Sequence, residues 1–456
     1  MNTNTNHPAR KGLSLLAALA LAAIHASGQT RTLRVVTYNI GADINGITMP
    51  QPGLIAPPGD TNNFQAGGVL EGIGEEIVGT DPAQPIDILA LQETTSNPVT
   101  VAPIVNGLNT FYGVSGMYSN SPYQATESGG FPGSGNGPNA LVFNTRTLRL
   151  LASVPVDPPG GTGALGSSSG MYREVMRYQF APAGVVTNDS NLFYVYVSHY
   201  KASTGTANEN YRQGEAQIIR NNSATLPATA RILYVGDYNT GVAAEGMYVT
   251  LIAAGVNQAI DPVNPTGNTN LTWDSNSALE VKTFSPMAIH YRDDYQMMTT
   301  NVYSDFPGGL ALVPGTYHVF GNNGSIGYEG NVTSAANTAL RNRLVTNGPV
   351  FINAVQLYKD LTNASDHLPM VADYTIPMPV PRISSFSLLG TNLLLNVANS
   401  VTGGVFTVLT STNLSLPLTN WLPLATNTAP GSSFSLTVTN AVQSATPGQF
   451  YLLLEK

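Results

Sequence analysis

The stretch from Arg231 to Asn239 reads Arg-Ile-Leu-Tyr-Val-Gly-Asp-Tyr-Asn, an apolar run that stops at a glycine and continues with polar residues. A short apolar run with such an end is typical of a buried β-strand. Because side chains alternate between the two faces of a strand, Asp237 and Asn239 should point to one side and Tyr238 into the core. The stretch therefore predicts a buried strand with a carboxylate and an amide at its carboxyl end.

The same pattern, an apolar run with polar residues at its end, recurs elsewhere in the chain. The other places are Asn39 after residues 33–38, Glu93 after residues 86–92, His199 after residues 193–198, and the run Ser365-Asp366-His367. Together these side chains would bring carboxylates, amides and imidazoles to one rim of a sheet. Such a rim is typical of a metal-assisted hydrolase.

The composition indicates a large globular chain. It has 456 residues, of which 42% are hydrophobic and 10% are charged, enough for one catalytic-size domain and a smaller one. The chain contains no cysteine, which excludes disulfides, thiolate metal sites and a cysteine nucleophile.

The amino terminus has the layout of a secretory signal peptide in residues 1–28. Basic Arg10 and Lys11 precede an apolar stretch from Leu13 to Ile24 and then small residues. A membrane anchor is the alternative, but this apolar stretch is shorter than the roughly 20 residues that span a bilayer. We expect cleavage after about Gly28, a secreted protein (extracellular or periplasmic), and no stable membrane insertion.

The chain is acidic, with a net charge of −8. Loss of residues 1–28, which hold two basic and no acidic residues, moves the net charge to −10. Proteins that hold nucleic acid by neutralising its phosphates usually carry a basic face, and no cluster of Lys and Arg stands out here. A polyanionic substrate would be held weakly, locally, or through bound cations.

The sequence predicts two domains. Residues 32–375 alternate short apolar runs with Gly-, Asn- and Pro-rich loops and a few helical stretches such as 208–221, a pattern typical of an α+β or α/β sandwich. Residues 376–382 read as a proline-rich linker, and residues 383–456 as a small all-β module with a sandwich fold. Three long loops, 41–80, 115–139 and 303–357, are expected to run over the surface and shape the site.

Glu93 is a candidate ligand for a hard divalent cation. Mg²⁺ prefers oxygen ligands and is often held by one or two carboxylates, with water and substrate phosphate completing its shell. The alternative is a solvated acid that caps the following turn. Asn39, Asp237 and Asn239 are weaker signals taken singly, although a neutral amide can polarise a phosphoryl oxygen without adding negative charge.

The histidines divide into two groups. His199 and His367 belong to the strand-end signatures and are candidate functional residues, whereas His290 and His318 are expected to be structural. Asp294, in the run Arg292-Asp293-Asp294-Tyr295, is expected to accept a hydrogen bond from His367 and so to orient it as a base. A surface salt bridge is the alternative for this run.

In this order and at these separations, the motifs of residues 32–375 resemble those of the endonuclease/exonuclease/phosphatase superfamily, which has the deoxyribonuclease-like fold. The motifs are Thr37-Tyr38-Asn39, Leu91-Gln92-Glu93, Ser198-His199, Gly236-Asp237-Tyr238-Asn239, Arg292-Asp293-Asp294-Tyr295 and Ser365-Asp366-His367. The resemblance implies an α+β fold, a four-layered α/β/β/α sandwich of two β-sheets packed face to face with helices outside.

The resemblance also implies roles for the site residues. Asn39 and Glu93 would bind Mg²⁺, or Mn²⁺ or Ca²⁺, and Asp366 is expected to be a further ligand. His367, held by Asp294, would act as general base or stabilise charge on the phosphate. Contacts with the scissile phosphate or the leaving group would be made by His199, Asp237 and Asn239. The reaction would be in-line attack of water on a phosphoester.

Three functions are compatible with this sequence. The first is a secreted nuclease that cleaves extracellular DNA or RNA. The second is a phosphodiesterase or phosphatase acting on lipid, like a sphingomyelinase, or on small phosphoesters. It would account for the missing basic face and for a set of apolar loop residues, Ile47, Met49, Leu54, Ile55 and Phe64. The third, and least favoured, is a non-catalytic surface-binding protein.

The carboxyl-terminal module contains Trp421 but no histidine, and Glu455 is its one acidic residue, so catalysis is not expected there. We expect this module to bind a surface or a polymer. The alternative is a passive stabilising domain.

Overall fold

The computed structural model of the chain describes residues 30–42, 52–58, 68–79, 83–122, 138–156, 175–188, 191–272, 276–284, 288–304, 308–345, 350–442 and 448–455. The expected signal peptide, residues 1–28, lies outside the described residues. Those that are described form two compact units, one from residues 30–183 and 187–378, the other from residues 379–455 with the short segment Gly184–Val186.

The first unit is built mainly from strands. In chain order they are β1 (Thr30–Asn39), β2 (Ile86–Gln92), β3 (Tyr118–Asn120), β4 (Ala140–Asn144), β5 (Leu148–Pro155), β6 (Met176–Pro182), β7 (Phe193–His199), β8 (Ile232–Asp237), β9 (Ala259–Ile260), β10 (Lys282–Phe284), β11 (Ala288–Tyr291), β12 (Asp294–Thr299), β13 (Ala311–Leu312), β14 (His318–Val319) and β15 (Met370–Pro377). The α-helices are α1 (Val69–Gly74), α2 (Ala102–Phe111), α3 (Thr206–Ser223), α4 (Gly246–Ile252), α5 (Thr300–Tyr303) and α6 (Val350–Ala364).

Two large sheets form the centre of this unit. The first has the order β13-β15-β1-β2-β4-β3, with β14 also paired to β15, and the second has the order β5-β6-β7-β8-β12-β9. In each sheet one central pair is parallel, β1 with β2 and β7 with β8, and their other neighbours are antiparallel. The carboxyl ends of each parallel pair therefore lie at the same edge of their sheet.

Three apolar clusters separate four layers. One cluster lies between the two sheets and takes side chains from both. A second covers the outer face of the first sheet with α1, α2 and α6, and a third covers the outer face of the second sheet with α3 and α4. The order is therefore helix, sheet, sheet, helix, and the four-layered sandwich expected from the sequence is confirmed.

The alternation of side chains along the central strands explains this layering. In β1, Leu33 and Val35 lie between the sheets, and Val36 and Tyr38 face the helices. β8 repeats the pattern, since its odd-numbered apolar residues lie between the sheets and its even-numbered ones face α3 and α4. Strands that are buried on both faces read as continuous apolar runs, as these two do.

A buried glutamine joins the sheets through hydrogen bonds. Gln296 of β12 donates from Nε2 to the carbonyl oxygens of Val35 (2.9 Å) and Met370 (2.8 Å), both in the first sheet. Its Oε1 accepts the hydroxyl proton of Tyr374 at 3.1 Å. Each polar atom of this side chain is thus satisfied in the dry layer between the sheets.

The second unit is a small β-sandwich. Its strands are β16 (Arg382–Leu389), β17 (Asn392–Ala398), β18 (Val405–Ser411), β19 (Leu422–Thr428), β20 (Ser433–Val438) and β21 (Phe450–Glu455). They form two sheets of order β16-β17-β20 and β19-β18-β21, with an apolar cluster drawn from both. The expected small all-β domain is confirmed.

Several boundaries differ from those expected. Residues 303–357, expected to be a loop, contain β13, β14 and the start of α6, and the two short strands pair with β15. β15 continues through Pro377 and β16 begins at Arg382, so residues 378–381 alone separate them. Among the helices of the described part of the chain, none has the length and apolar composition needed to cross a membrane.

Candidate active site

Four predicted side chains lie at the carboxyl ends of the parallel strand pairs. Asn39 is the last residue of β1 and Glu93 follows β2, while His199 and Asp237 end β7 and β8 and lie opposite each other in the sheet register. Because the sheets pack face to face, the two edges approach each other here.

Asn39 connects carboxylates from the two sheets. Its Nδ2 donates to Glu93 Oε1 and to Asp237 Oδ2, each at 2.9 Å, and its Oδ1 accepts the backbone N–H of Gly41 at 3.1 Å. In this orientation Asn39 presents N–H groups and positions the carboxylates. Its expected role as a metal ligand stays a prediction that requires the amide to turn its oxygen inward.

Glu93, His199 and Asp237 form a compact group of possible metal ligands. His199 Nε2 lies 3.6 Å from Glu93 Oε1 and 3.4 Å from Asp237 Oδ2, and one ligand atom from each of the three lies within 4.8 Å of the others. All three side chains are buried. Two buried carboxylates this close need positive charge for compensation, so the donor set fits a divalent cation such as Mg²⁺.

The backbone turns sharply at two of the site residues. Glu93 has a φ of 56° and Asn239 a φ of 48°, in the left-handed region that residues other than glycine seldom adopt. Asparagine tolerates this conformation well, but glutamate does so less readily. Strain of this kind concentrates at functional sites, where the surrounding structure holds it in place.

The strand β8 approaches β7 closely because position 236 is a glycine. A Cβ at Gly236, whose φ is 144°, would lie 1.9 Å from the carbonyl oxygen of Ser198. No other residue type fits without separating the strands. The close pairing sets His199 beside Asp237.

A histidine and an aspartate form a second pair at the site. His367 Nδ1 lies 2.7 Å from Asp294 Oδ2, and both side chains are buried. Asp294 begins β12 directly opposite Asp237, and His367 Nε2 lies 3.9 Å from Asp237 Oδ2. The structure thus places the expected base and its expected orienter in contact, next to the group of possible metal ligands.

Ser365, a residue with no expected role of its own, positions His367. Its Oγ donates to the carbonyl oxygen of Asn39 at 2.7 Å and accepts the backbone N–H of His367 at 3.0 Å. The residue two before His367 therefore connects its loop to the end of β1. A serine two residues before a candidate histidine is a weak sequence signal for such a turn.

Asp366 and Asn239 lie less centrally. Asp366 is exposed, and a Cβ at Gly41 would lie 3.7 Å from its Oδ1. It does not join the group of three possible ligands found among the described residues, and its expected role as a ligand stays a prediction. Asn239 donates from Nδ2 to the carbonyl oxygen of Tyr200 at 3.2 Å, and its backbone N–H donates to Asp237 Oδ1 at 2.9 Å.

Three stacked tyrosine rings pack in the core next to the site. Tyr200, Tyr238 and Tyr295 stack with centroid distances of 4.9 and 5.4 Å, and all three rings are buried. As expected, Tyr238 points into the core. Because the three rings follow or belong to β7, β8 and β12, their packing fixes the relative positions of the strand ends.

Arg292 anchors the start of β12. Its guanidinium makes two hydrogen bonds to the carboxylate of Asp261, at 2.8 and 2.9 Å, and lies 4.2 Å from the ring centroid of Tyr295. Burial by itself would lower the pKa of Arg292, but Asp261, Tyr317 and Tyr295 together raise the pKa well above its ordinary value. The surface salt bridge considered as an alternative for this run is therefore not what the structure shows.

The pKa of Tyr38 is affected by negative charge beside the site. Burial raises its pKa well above the ordinary value, and the carboxylates of Asp366 and Asp294 raise it further. The phenol therefore stays neutral, and two acidic groups lie close enough to affect it.

The two other histidines of the described residues, His290 and His318, have other partners. His318 Nε2 lies 2.9 Å from Glu76 Oε2, and His290 Nδ1 lies 3.2 Å from Glu329 Oε1. Neither belongs to the group of possible metal ligands in the described residues.

Comparison with known proteins does not assign a family. No family model matches the chain, and no curated protein matches it. Among solved structures, it is similar to the catalytic domain of human Nocturnin with bound sulfate, at 17% identity and a TM-score of 0.38, over 76% of this chain and 96% of that one. It is also similar to an endonuclease/exonuclease/phosphatase from Beutenbergia cavernae, at 14% identity and a TM-score of 0.39, over 93% of this chain and 100% of that one.

A third similar structure is an endonuclease/exonuclease/phosphatase family protein from Bacteroides thetaiotaomicron, at 12% identity and a TM-score of 0.39, over 76% of this chain and 99% of that one. Similarity at this level leaves function to be argued from the residues of this chain. The family resemblance of the motifs stays a prediction.

Proposed function

We propose that this chain is a divalent-metal-dependent phosphoester hydrolase of the endonuclease/exonuclease/phosphatase superfamily. One observation carries the proposal. The ligand atoms of Glu93, His199 and Asp237 lie within 4.8 Å of one another, and the hydrogen-bonded pair of His367 and Asp294 lies beside Asp237. Hydrolysis of a phosphoester by water requires a cation to stabilise charge and a base to accept the proton of water, and a cation site next to an oriented histidine would provide both.

The histidine pair would handle the proton of the attacking water. A carboxylate only accepts hydrogen bonds, so Asp294 holds the proton on His367 Nδ1 and makes Nε2 the proton-accepting atom. The negative charge of Asp294 would also stabilise the imidazolium that forms. Because water is the nucleophile, no covalent enzyme intermediate is required.

The carboxylates and His199 would hold the cation. When bound, Mg²⁺, or Mn²⁺ or Ca²⁺, would polarise the phosphoryl oxygen and stabilise the leaving oxyanion. The N–H groups of Asn39 fix the positions of Glu93 and Asp237. Asn239 lies at the rim next to Asp237, where its amide could contact the phosphate without adding negative charge.

The favoured substrate is extracellular DNA or RNA. A cation site beside an oriented histidine suits attack of water on a phosphodiester, and the signal-like residues 1–28 favour export to the extracellular space or the periplasm. Detection by mass spectrometry of a mature protein that begins near Gln29 in the exported fraction would support export. A chain that stays in the cell with residues 1–28 attached would contradict it.

The alternative substrates are lipid or small phosphoesters. The acidic net charge favours a small phosphoester over a polyanion. The apolar loop residues give less support to lipid, because Leu54 is fully buried and Ile55 packs against the core. Ile47, Met49 and Phe64 lie outside the described residues. A purely surface-binding protein is disfavoured because Glu93, His199, Asp237, Asp294 and His367 converge at one place.

For the carboxyl-terminal module we propose binding to a surface or polymer. Deletion of the residues after Val380 should leave turnover of a soluble substrate unchanged and reduce retention on the cell surface or polymer. Unchanged retention would favour a passive stabilising role.

One experiment tests the proposed chemistry and its substrate together. The purified chain is assayed against plasmid DNA, RNA, sphingomyelin and a generic phosphodiester, each with Mg²⁺ and with chelator. Chelator-sensitive cleavage of DNA or RNA supports a nuclease, and activity confined to lipid or small diesters supports the alternative. Activity that resists the chelator, or no activity on any substrate, would overturn the metal-dependent hydrolase.

A further inference from the structure

Two loops lead away from the candidate site, one after β7 and one after β8. The first, residues 200–205, follows His199 and runs into α3. The second, residues 238–245, follows Asp237, contains Asn239 and runs into α4. Because each loop begins at a site residue, the position of the loop affects where that side chain lies.

Both loops contact one side chain, the guanidinium of Arg212 in α3. Its Nη1 donates to the carbonyl oxygens of Lys201 (2.8 Å) and Ser203 (2.9 Å) in the first loop. Its Nε donates to Oε1 of Glu245 at 2.5 Å, in the second loop. Both side chains of this ion pair are buried. One buried cation therefore connects the two loops.

A second side chain of α3 holds the first loop. Glu215 is fully buried, and its Oε2 accepts the backbone N–H of Lys201 at 3.0 Å. Since Arg212 donates to the carbonyl oxygen of Lys201, both backbone groups of this residue are bound by α3. Arg212 and Glu215 are three positions apart and so lie on one face of the helix. The loop is thus fixed to α3 two residues after His199.

Ser203 has a backbone conformation that needs support. Its φ of 79° lies in the left-handed region, which is unfavourable for serine. Such a conformation persists where the surrounding structure holds it in place. The hydrogen bond from Arg212 to the carbonyl oxygen of Ser203 supplies part of that support.

The contacts continue from Arg212 to the site through Tyr200. The backbone N–H of Tyr200 donates to the carbonyl oxygen of Asp237 at 2.9 Å, and its carbonyl oxygen accepts Nδ2 of Asn239 at 3.2 Å. The next residue, Lys201, is the one bound by Arg212. A continuous set of hydrogen bonds therefore joins Arg212 to the ends of β7 and β8.

Stability alone explains this ion pair poorly. A buried ion pair often contributes little net stability compared with apolar packing, because both charges lose their hydration. An arginine here gives direction instead. Its planar group donates to three oxygens from two loops at once, which the compact ammonium of lysine does not reproduce.

We propose that Arg212 is a positioning residue of the candidate active site. It holds the two loops so that His199 and Asp237 keep the separation that cation binding needs, and the inference rests on the proposed function. His199 Nε2 lies 3.4 Å from Asp237 Oδ2, and the two strands pair in register up to these residues. Arg212 acts on this separation through the loops, without contact to the cation or the substrate.

Arg212→Lys tests the proposal, because it keeps the positive charge and lacks the planar group. Isothermal titration calorimetry with Mn²⁺ gives a readout that does not depend on turnover. Mutation of residues that support metal ligands typically changes metal affinity or activity 10- to 100-fold. We therefore expect the Kd for Mn²⁺ to rise about 10-fold or more, and kcat for a generic phosphodiester at saturating Mn²⁺ to fall.

Arg34→Lys is the matched control. Arg34 is fully buried in the first half of β1, pairs with Asp373, and donates to the carbonyl oxygens of Ile73 and Glu76 at 2.7 and 2.9 Å. It therefore loses the same kinds of contact without affecting the loops after β7 and β8. Both variants should have a lower Tm, and circular dichroism should show both folded at the temperature of the titration. Arg34→Lys should keep its Mn²⁺ affinity and kcat.

Glu245→Gln tests the same connection from the second loop. It removes the charge that pairs with Arg212 and should also weaken Mn²⁺ binding. Adding it to Arg212→Lys should cause little further loss, because both changes break one connection. Losses that add in full would contradict a connection through this pair.

The outcomes separate this inference from the proposed function. Unchanged Mn²⁺ affinity in Arg212→Lys would overturn the inference, as would an equal loss in Arg34→Lys, which would assign the effect to stability. If Arg212→Lys does not fold, Glu245→Gln alone decides, and unchanged affinity there overturns the inference. An unmodified chain that binds no Mn²⁺ would instead overturn the proposed cation site itself.

Discussion

The two sheets meet at the candidate site through one amide, that of Asn39. Glu93 and Asp237 come from different sheets, and two negative charges in one buried place repel each other. The two N–H···O contacts from Asn39 reduce this cost without a formal charge. A bound cation would supply the compensation that one amide cannot.

Removal of the proposed base should affect turnover far more than folding. His367→Ala is expected to lower kcat about 100- to 10,000-fold, because general base catalysis typically contributes that much. The measurement is kcat for a generic phosphodiester at saturating Mg²⁺, with circular dichroism as the check on folding. His290→Ala, at a histidine that contacts Glu329, is the control and should keep its turnover.

Near-normal turnover in His367→Ala would contradict its assignment as the base. Asp294→Asn adds a separate check, because an amide in place of the carboxylate no longer holds the proton on Nδ1. It should lower kcat and change the pH profile, whereas a merely structural residue would leave the shape of the profile unchanged.

Metal binding can be tested without any catalysis. Glu93→Gln is expected to weaken Mn²⁺ or Mg²⁺ affinity at least about 10-fold, since it removes a charged candidate ligand. Isothermal titration calorimetry and the rise in Tm on adding metal both measure this binding. An unchanged titration would remove Glu93 from the site, and a comparable loss in Asp366→Asn would make Asp366 a ligand.

At the scale of residues, the sequence predicts which polar side chains end the central strands. The strand-end positions of Asn39, Glu93, His199 and Asp237 follow from the alternation of side chains and the ends of apolar runs. The contact of His367 with Asp294 joins residues far apart in the chain, and it was predicted from the expected position of Asp294 near the same rim as well as from the motif resemblance. The orientation of the Asn39 amide and the hydrogen bonds of Ser365 depend on neighbours from other strands, which a single sequence does not show.

At the scale of elements, the close approach of β8 to β7 depends on Gly236. Gly236→Ala would place a methyl group against the carbonyl oxygen of Ser198 and force an unfavourable φ. The expected loss is about 2–5 kcal/mol in the free energy of unfolding, from strain and overpacking together. Urea denaturation measures this loss. Gly241→Ala, at a position with no heavy atom within 4 Å, is the control. Equal stabilities for the two variants would contradict this role for Gly236.

Asp87, near the start of β2, should make the free energy of unfolding depend on pH. Burial raises the pKa of Asp87 to about 7 from an ordinary value of 3.8. Between these values the folded chain keeps a proton that the unfolded chain has lost. Its contribution to stability is therefore complete below pH of about 4 and is lost as pH rises through about 7, at up to about 1.4 kcal/mol per pH unit.

Asp87→Asn removes this titration and leaves other groups, such as Glu76, in place. In urea denaturation at a series of pH values, the difference in unfolding free energy between the variant and the unmodified chain should grow in favour of the variant from pH of about 4 to about 7. Parallel stability curves would show that Asp87 does not titrate in this window.

The elements themselves were only partly predictable from the sequence. The stretch 208–221 has helical character and lies within α3, and the apolar runs before the site residues are strands. The strands β13 and β14 have two residues each and exist because β15 offers them a partner. Such short elements have no periodicity of their own, so the sequence of 303–357 reads as loop.

At the scale of the whole molecule, the acidic net charge makes a prediction about substrate binding. A protein that holds DNA by many phosphate contacts loses affinity steeply with salt, by a log–log slope of about −0.9 per contact. With a net charge of −8 and no cluster of Lys and Arg, this chain should make few such contacts. We expect the slope of log kcat/KM against log NaCl concentration to be shallower than about −2, which corresponds to one or two phosphate contacts.

The measurement is DNA cleavage at saturating Mg²⁺ over a series of NaCl concentrations, with a small phosphodiester as the control for salt effects on chemistry. A shallow slope for DNA, close to that of the small substrate, would mean that the chain recognises the scissile phosphate and little of its surroundings. A slope near −6 or steeper would require an extended basic surface, and would contradict the inference drawn from the charge of the whole chain.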